Sequence, residues 1–557
     1  MEAAEEFHFS PRPNRASEIH WHGWSKDAFD EARTSGRPIL LSISAVWCHW
    51  CHVMDETTYS HPSVIELINN EYVPVRVDND VRPDINQRYN MGGWPTTAFL
   101  TPSGDILTGA TYLPPDQMAS ALMRIASYYR NNQTEIATRV LEARKRAASG
   151  VARSAGEVQP GLVDEILDAV KNAYDPEYGG FGGAPKFPQT DAILLLLEQS
   201  ALREDESLRR MAVHTLEQMT GGGTYDHVEG GFFRYSTTQD WNVPHFEKML
   251  EDHAGLVQAL SMAGMTADLD KTVGYLDRVL RDPKTSLFAG SQDADEHYYS
   301  MDAEERKSAA PPYVDRRVYT SWNAALAIAY LEAGKPAEGL LNSLFKHAYR
   351  KGHGMAHAEG VGGQLADQVW SLLAAVRAYQ SGLGERWIEI ATDLAEHIEV
   401  QYGDPELGGY LDHAGGDELG RLGERIKPLA DNSVAAMALI ELDILKGDPS
   451  SPHRERARRA LESVASLPRS YGLMAAAFAR ALDRLPHALK VTTKNPELAR
   501  AARAEHPYAV IDASGDERAV VCVGTICLAP VSTLDALKEA IREASQARAP
   551  GARRAPI

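Results

Sequence analysis

Two cysteines three positions apart are the residues of this chain with the clearest chemical potential. Cys48 and Cys51 follow the short apolar run Pro38 to Ala45 and open a helical stretch that reaches Asn69. A thiol at a helix start faces unpaired backbone N–H groups and the positive end of the helix dipole, and both favour the thiolate. The spacing also lets the second sulfur attack a mixed disulfide on the first. The pattern predicts Cys48 as a redox nucleophile and Cys51 as its resolving thiol.

Pro95 is the third residue expected at this site. It follows Gly92-Gly93-Trp94 and precedes a short apolar run, and thioredoxin folds place a cis-proline against their reactive cysteines. Two other interpretations of the cysteine pair stay open. The thiols are inert structural residues, or they bind zinc together with His52, which shares their helix face. We expect neither a metal nor another cofactor, because no fourth ligand is evident.

The composition argues against several classes of function. A chain of 557 residues needs two or three domains, and its net charge of −20 repels nucleic acid and anionic membranes. The acidic start lacks the pattern of a signal peptide, and the longest apolar run, Ala192 to Leu197, is too short to cross a bilayer. Four cysteines in two close pairs, the second being Cys522 and Cys527, do not make a disulfide scaffold. We therefore expect a cytoplasmic protein without nucleic-acid or membrane partners.

The elements around the first cysteine pair alternate between strand and helix. Strands are predicted at Tyr72 to Asp78 and Ala98 to Thr101, a hairpin turn at Pro102 to Asp105 and a helix at Asp116 to Tyr129. Such alternation requires a central sheet that helices cover. Residues 1–130 are predicted to form a thioredoxin-like α/β domain, and the polar residues 131–158 a helical linker.

Helices dominate residues 159–486. Apolar periodicity, with Gly and Pro as punctuation, predicts them at 160–174, 189–203, 206–220, 246–264, 266–282, 321–333, 335–350, 364–382, 384–401, 429–446, 452–466 and 471–485. These helices make six hairpins, and six hairpins that close on themselves form an (α/α)6 toroid barrel. Residues 487–557 return to strand–helix alternation and are predicted as a small α/β C-terminal segment.

A repeated sequence supports the pairing of the helices. The stretch Tyr174 to Phe181 reads YDPEYGGF, and its pattern recurs at Tyr225 to Phe232 and at Tyr402 to Tyr410. Similar glycine-rich loops lie near Phe288 and Gly360. A repeat whose apolar face needs its neighbours indicates a closed or stacked helical array.

A series of motifs resembles the spermatogenesis-associated thioredoxin-like family. The motifs, in chain order, are CHWCHVM (48–54), GGWP (92–95), APKFP (184–188), YDH (225–227), VPHFEKML (243–250), QDAD (292–295), TSWN (320–323), ADNS (430–433) and CVGTICLAP (522–530). The resemblance implies a thioredoxin domain fused to a six-hairpin, glycosidase-like barrel, and it implies little about activity. The chain departs from the family at Val46-Trp47, where Ser-Thr is usual, and at His253, where asparagine is common.

The polar residues of the barrel motifs are candidates for a sugar site. Pro244 suits the first position of a helix, which would place His245 in the first turn as a neutral base and would pair Lys248 with Asp252. Carboxylates and aromatic side chains would hold a sugar ring. The predicted ligand residues are His227, Tyr235, His245, Glu247, Asp293, Asp295, Trp322, Asn323, Asp367 and Asp431. The alternative is that each of them braces a loop or caps a helix.

Three functions are compatible with these patterns. The first is a thiol-disulfide oxidoreductase whose barrel recruits a protein client or a sugar-bearing ligand. The second is a carbohydrate-active barrel enzyme with a regulatory thioredoxin domain, either a hydrolase with paired carboxylates or an epimerase with a histidine base. The third is a non-catalytic, redox-sensitive binding or scaffold protein. A protein thiol or a sugar-like small molecule is therefore the expected partner.

Overall fold

A computed structural model describes residues 7–151, 155–159, 161–416 and 419–546. The chain divides into two compact units. The first contains residues 7–151 together with two later segments, Ser291–Asp315 and the described part of 413–426, and the second contains the other described residues. The domain boundaries at 130, 158 and 486 stay predictions, and nothing in the sequence pattern indicates that the two later segments group with the first unit.

The first unit is built on a four-stranded sheet in the order β2-β1-β3-β4. Its elements are α1 Lys26–Ser35, β1 Ile39–Ser44, α2 His49–Glu56, α3 Pro62–Glu71, β2 Val73–Asp78, α4 Pro83–Tyr89, β3 Thr96–Leu100, β4 Ile106–Ala110, α5 Pro115–Asn131 and α6 Gln133–Val151. β1 is parallel to β2 and antiparallel to β3, and the predicted hairpin joins β3 to β4. The thioredoxin-like α/β prediction is confirmed.

Helices cover both faces of the central strand. Leu41 packs in one core cluster with Phe29 of α1, whereas Leu40 packs in another with Met118 of α5. Every residue of β1 is buried, which explains why its sequence is a continuous apolar run rather than an alternating one. The strand that leads to Cys48 is therefore held rigidly from both sides.

A segment from the later part of the chain completes one of these cores. Leu422 is buried in the same cluster as Trp24. Arg88 donates to the carbonyl oxygens of Arg421 and Glu424 at 2.9 and 2.6 Å, which satisfies backbone groups of the segment. The segment is thus an integral part of the first unit.

The second unit contains the twelve predicted helices. In chain order the helices that follow α6 are α7 Leu162–Ala173, α8 Thr190–Arg203, α9 Glu206–Gly221, α10 Leu250–Ala263, α11 Thr266–Tyr275, α12 Glu296–Ser300, α13 Ala303–Arg306, α14 Thr320–Glu332, α15 Glu338–Ala348, α16 Leu365–Gln380, α17 Arg386–Gln401, α18 Leu429–Lys446, α19 His453–Glu462, α20 Pro468–Tyr471 and α21 Ala476–His487. The short helices α12 and α13 belong to the first unit. All twelve helices are found, with ends shifted by a few residues.

Six of these helices form a closed inner ring. α8 packs against α10, α10 against α14, α14 against α16, α16 against α18, α18 against α21, and α21 against α8. The outer helices α9, α11, α15, α17, α19 and α7 each pack on a member of this ring. The predicted (α/α)6 barrel is confirmed. The inner helices are apolar on most of their surface, as α16 shows, because they are enclosed by the outer ring.

Buried lysine–aspartate pairs hold the repeated glycine-rich loops. Each loop closes a short antiparallel bridge, as between Tyr225 and Phe232. Within each loop an aspartate accepts hydrogen bonds from two backbone N–H groups. The same aspartate forms an ion pair with a lysine that lies outside the loop. The pairs are Lys186 with Asp175 at 2.7 Å, Lys248 with Asp226 at 2.7 Å and Lys427 with Asp404 at 2.8 Å. The predicted pairing of Lys248 with Asp252 is wrong, because Lys248 lies in an extended segment that faces the loop.

The remaining strands have two residues each, apart from three four-residue strands of the C-terminal segment. They are β5 Tyr235–Ser236, β6 Pro244–His245, β7 Lys248–Met249, β8 Ser291–Gln292, β9 Val314–Asp315, β10 Tyr349–Arg350, β11 Gly354–Met355, β12 Leu489–Thr492, β13 Ala509–Asp512, β14 Val520–Val523 and β15 Ile526–Cys527. The last four form a sheet in the order β13-β12-β14-β15, which α22 Pro496–Glu505 and α23 Leu534–Gln546 accompany. This confirms the predicted α/β segment over its described residues.

The C-terminal segment covers the ends of several inner helices. Gln380 of α16 accepts the N–H of Ile511 at 3.0 Å. Tyr508 lies under the guanidinium of Arg484, which itself donates to Glu198 at 2.9 Å. These groups are buried, so the carboxyl-terminal ends of the inner helices are enclosed by charged and polar contacts. Within the described ranges, none of the helices is both long enough and apolar enough to span a membrane.

Replacing Lys248 by methionine should destabilise the barrel strongly. The change leaves Asp226 buried without its cation, and breaking a buried pair from one side costs about 3–5 kcal/mol. Lys171→Met is the matched control, because Lys171 pairs with Asp168 at 3.1 Å on the exposed surface and should cost less than about 1 kcal/mol. Urea unfolding followed by circular dichroism measures both. Equal losses would contradict a bracing role for Lys248.

Candidate functional site

The first candidate site is the cysteine pair at the start of α2. Cys48 is the N-cap residue of α2, and its Sγ accepts the backbone N–H of Cys51 at 3.2 Å. Both cysteines are buried, with Cys48 4 % exposed, and their sulfurs form a disulfide. The N–H group at the helix start is the donor that would stabilise a thiolate on Cys48 after reduction.

A tryptophan pair and a buried aspartate flank the disulfide. Trp47 donates from Nε1 to Asp80 Oδ2 at 2.7 Å, and its ring lies 5.6 Å from that of Trp94. Trp94 precedes Pro95 in a cis peptide bond at the start of β3, the strand next to β1. Burial raises the pKa of Asp80. A carboxyl group that retains its proton more readily than usual therefore contacts the residue before Cys48.

The QDAD motif lies in the first unit, beside α2. Asp293 Oδ2 is 3.6 Å from Nδ1 of His52, and both side chains are buried. Asp295 is the N-cap of α12 and accepts the N–H of Tyr298 at 2.9 Å. Burial, together with the nearby His8, lowers the pKa of His52 to about 4, so this imidazole is neutral at neutral pH. The structure thus places both aspartates in the first unit, with Asp293 in contact with His52 of the cysteine helix.

Zinc binding is the third interpretation of the cysteine pair. Across the described parts of the chain, no group of three or more His, Cys, Asp or Glu side chains is arranged to hold a metal ion. The ring of His52, the third ligand that the sequence offers, contacts Asp293.

In the barrel, four inner helices carry a buried side chain near the start that braces a loop. Each side chain bonds to the backbone of one loop residue: His253 to Phe232, Asn323 to Phe288, Gln368 to Met355 and Asn432 to Tyr410. Asn323 shows the pattern, since its Oδ1 accepts the N–H of Phe288 at 2.9 Å and its Nδ2 donates to the carbonyl at 3.0 Å. Both polar atoms of the Asn323 amide are therefore hydrogen-bonded to the backbone of Phe288. In α10 the same kind of contact is made by His253, which stands where asparagine is common.

His245 lies in a strand and not in a helix. β6 pairs with β5, which sets His245 opposite Tyr235, and the two rings stack with centroids 4.5 Å apart. The predicted helix start at Pro244 is wrong, because this pairing keeps the backbone extended and α10 begins only at Leu250. The imidazole is positioned by an aromatic neighbour instead of a helix dipole.

Glu247 forms a dyad with His245. Nδ1 of His245 lies 3.3 Å from Oε1 of Glu247. Glu247 is 2 % exposed, and its Oε2 has no hydrogen-bond partner in the part of the chain that the structure describes. The ring of Phe187, 40 % exposed, stacks on Tyr235 at 4.6 Å. The arrangement supplies an imidazole next to a carboxylate and stacked on Tyr235, whose ring also stacks with the accessible ring of Phe187.

Carboxylates at the starts of inner helices add proton donors. Asp252 is in the first turn of α10 and Asp431 in that of α18. Burial raises the pKa of Asp252 to about 7, although Arg234 opposes the rise. Burial raises the pKa of Asp431 to about 7 as well, and repulsion from Asp367 adds to it. Near neutral pH both groups are partly protonated, as a general acid requires.

Asp367 is positioned by three donors. It is fully buried, with Nδ1 of His357 3.0 Å from its Oδ2. The backbone N–H groups of Ser321 and Gln364 donate to it at 3.1 and 2.8 Å. These contacts make Asp367 a link between α14 and α16.

The last two predicted ligand residues are His227 and Trp322, which contact other groups. His227 is exposed, and its Nε2 is 3.0 Å from the carbonyl oxygen of Gly222. Trp322 is half-buried, with its ring 4.6 Å from that of Tyr319.

Sequence reasoning missed four residues that contact or act electrostatically on Tyr235, Glu247 or Asp431. They are Phe187, Arg234, Glu251 and Asp252. Phe187 lies inside the APKFP motif, and Glu251 and Asp252 are the two residues after VPHFEKML, so the motifs themselves and their immediate flank carry a signal for three of them. Arg234 precedes Tyr235 and carries no signal of its own.

The folds and sites described above define a class of protein with a thioredoxin-like domain that carries a Cys-x-x-Cys pair, followed by an (α/α)6 barrel. Residues 12–147 match the Thioredox_DsbH family, described as a protein of unknown function, DUF255. This match covers the thioredoxin-like domain.

Several known proteins resemble parts of this chain. The chain is 34% identical to spermatogenesis-associated protein 20 of Rattus norvegicus over 307 residues, 50% of this chain and 39% of that protein, so the match spans about two fifths of the relative's length. This confirms the resemblance that the motifs indicate. Thiol:disulfide interchange protein DsbD of Pseudomonas fluorescens is 31% identical over 80 residues, 14% of each chain. The structure of cellobiose 2-epimerase from Bacillus thermoamylovorans aligns with 56% of this chain and 88% of its own, at 13% identity and a TM-score of 0.43.

The raised pKa of Asp431 predicts a pH-dependent effect of Asp431→Asn. The folded-state pKa of about 7 exceeds the ordinary value of 3.8, so the proton on Asp431 stabilises the folded state at low pH. This stabilisation is lost as the pH rises through 7. At pH 8 the variant should be more stable than wild type by roughly 2 kcal/mol, and the difference should shrink towards pH 4. Melting temperatures across this range test it, with Asp168→Asn, an exposed aspartate, as the control. A pH-independent difference would contradict the prediction.

Proposed function

We propose that this protein is a thiol-disulfide oxidoreductase that reacts through Cys48. The observation that carries the proposal is the hydrogen bond from the backbone N–H of Cys51 to Cys48 Sγ at the start of α2. The name of the DsbD relative, a thiol:disulfide interchange protein, supports the same chemistry. The exposed Trp50 next to the disulfide offers an apolar contact for a protein client.

The reaction transfers two electrons from the reduced pair to a client disulfide. The Cys48 thiolate attacks one client sulfur, a mixed disulfide forms, and the other client sulfur leaves as a thiolate that takes up a proton. Cys51 then loses its proton and attacks Cys48 Sγ, which releases the second client thiol. The Cys48–Cys51 disulfide is the oxidised product.

Alkylation kinetics test the assignment of the nucleophile in a Cys522→Ser/Cys527→Ser background, which leaves only the first pair. After reduction the rate at Cys48 should fall by less than about 1.5-fold between pH 8.5 and 7.5, because the helix start stabilises the thiolate. An ordinary cysteine loses about fivefold over this interval. Cys51→Ser should keep the fast thiol and trap a mixed disulfide with a client, whereas Cys48→Ser should lose both. A fast phase that survives Cys48→Ser contradicts the proposal.

A second function is favoured by the dyad of His245 and Glu247. We propose that the barrel binds a sugar-like, polyhydroxylated ligand and moves a proton at a carbon next to its carbonyl group. The imidazole would remove the proton, and Asp252 or Asp431, each partly protonated near neutral pH, would protonate the carbonyl oxygen. The exposed face of Phe187 would contact the C–H side of the ring.

Deuterium exchange tests this second function directly. Reducing sugars incubated with the protein in D2O should gain deuterium next to the carbonyl, and calorimetry should detect binding. His245→Ala and Glu247→Gln should each reduce exchange by about 10²-fold or more without lowering the melting temperature. His347→Ala, on the exposed surface of α15, is the matched control. If the wild type neither binds sugars nor exchanges deuterium, and both variants lose much stability, the proposal is wrong. His245 and Glu247 would then serve to brace the fold.

A further inference from the structure

The second cysteine pair lies in a hairpin of the C-terminal sheet. β14 and β15 pair in antiparallel fashion, which sets Cys522 directly opposite Cys527, and the two sulfurs form a disulfide. Gly524, with φ of 57°, supplies the left-handed residue that the connecting turn needs. β15 is only two residues long and forms the edge of the sheet.

Backbone hydrogen bonds hold this hairpin independently of the disulfide. The N–H of Leu528 donates to the carbonyl of Val521 at 2.9 Å. Ala519 and Val531 exchange two further bonds, at 2.8 and 2.9 Å. The covalent ring therefore encloses little more than the turn, and disulfides that close short rings constrain the unfolded chain least. Stabilising the fold is a weak explanation for this bond.

The two sulfurs differ in how well a solvent thiol reaches them. Cys527 is exposed, and its neighbour Ile526 is 67 % exposed, whereas Cys522 is 8 % exposed. An incoming thiolate therefore reaches Cys527, and Cys522 is the leaving group. Disulfides that are accessible in this way are the labile ones.

A lysine is the cross-strand partner of Cys522, but its charge is taken up elsewhere. Lys490 of β12 is paired with Cys522 of β14, so the two side chains point to the same face of the sheet. The Nζ of Lys490 is also 2.6 Å from Oδ2 of Asp512. Asp512 lies on β13, on the side of β12 away from β14, so the lability of the disulfide rests on the exposure of Cys527 and not on this ammonium group.

We propose that Cys522 and Cys527 form a second thiol–disulfide exchange site, which reacts with an external dithiol of the Cys-x-x-Cys type. The incoming thiolate forms a bond to Cys527 while the Cys522–Cys527 bond breaks, and the Cys522 thiolate takes up a proton. The second thiol of the partner loses its proton, attacks the mixed disulfide and releases Cys527. The partner dithiol is oxidised to a disulfide, and the hairpin pair is reduced by two electrons.

The experiment uses the full chain with Cys48→Ser and Cys51→Ser, so that its outcome is independent of the first site. The hairpin pair is titrated with mixtures of reduced and oxidised dithiothreitol, and alkylation followed by mass measurement counts the thiols. We expect reversible reduction that adds two alkyl groups per chain and leaves the circular dichroism spectrum and the melting temperature nearly unchanged.

Two single-cysteine variants in the same background test the direction of attack. With oxidised glutathione, Cys527 in the Cys522→Ser variant should form a mixed disulfide at least about tenfold faster than Cys522 in the Cys527→Ser variant. Equal or reversed rates would overturn the assignment of the attacked sulfur. Reduction that occurs only in denaturant, or that lowers the melting temperature steeply, would overturn the proposal and identify the bond as a structural staple.

Discussion

The buried contact between a lysine and an aspartate is the interaction on which the barrel depends. It recurs in three glycine-rich loops, with Lys186, Lys248 and Lys427 as the cations. In each loop the aspartate also accepts backbone N–H groups, so one carboxylate satisfies several buried donors at once. Although burial acts in the opposite direction, the hydrogen bond from Lys427 lowers the pKa of Asp404 to about 2. Asp404 is therefore ionised over the whole physiological pH range.

These loops determine what the inner helices present at their amino-terminal ends. The loop of Asp226 leads into β5 and β6, which set Tyr235 against His245, and the chain then passes Lys248 before α10 begins. The other ends of the inner helices are enclosed by the C-terminal segment, as the contact of Gln380 with Ile511 shows. At the amino-terminal ends, Asp252 and Asp431 are carboxylates whose pKa values are raised by burial.

The first unit shows how distant parts of a chain can build one site. Cys48 owes its position to β1, which is buried on both faces, and His52 owes its neutral state to burial near His8. Asp293 and Leu422 come from far along the sequence, yet each packs within this unit. A thiol site of this kind is therefore assembled from a local motif and from segments that only the complete fold supplies.

The sequence by itself determined the helices, the first sheet and the Cys-x-x-Cys motif at a helix start, because periodicity, turn residues and helix-start patterns act within a few neighbouring residues. The same local rules failed at Pro244 and His245, where a cross-strand partner keeps the backbone extended against a plausible helix start. The role of Asn323 as a brace, the placement of Asp293 beside α2 and the raised pKa of Asp252 were decided only by the tertiary structure. Each of them depends on which distant groups surround a side chain, and that is the outcome of packing.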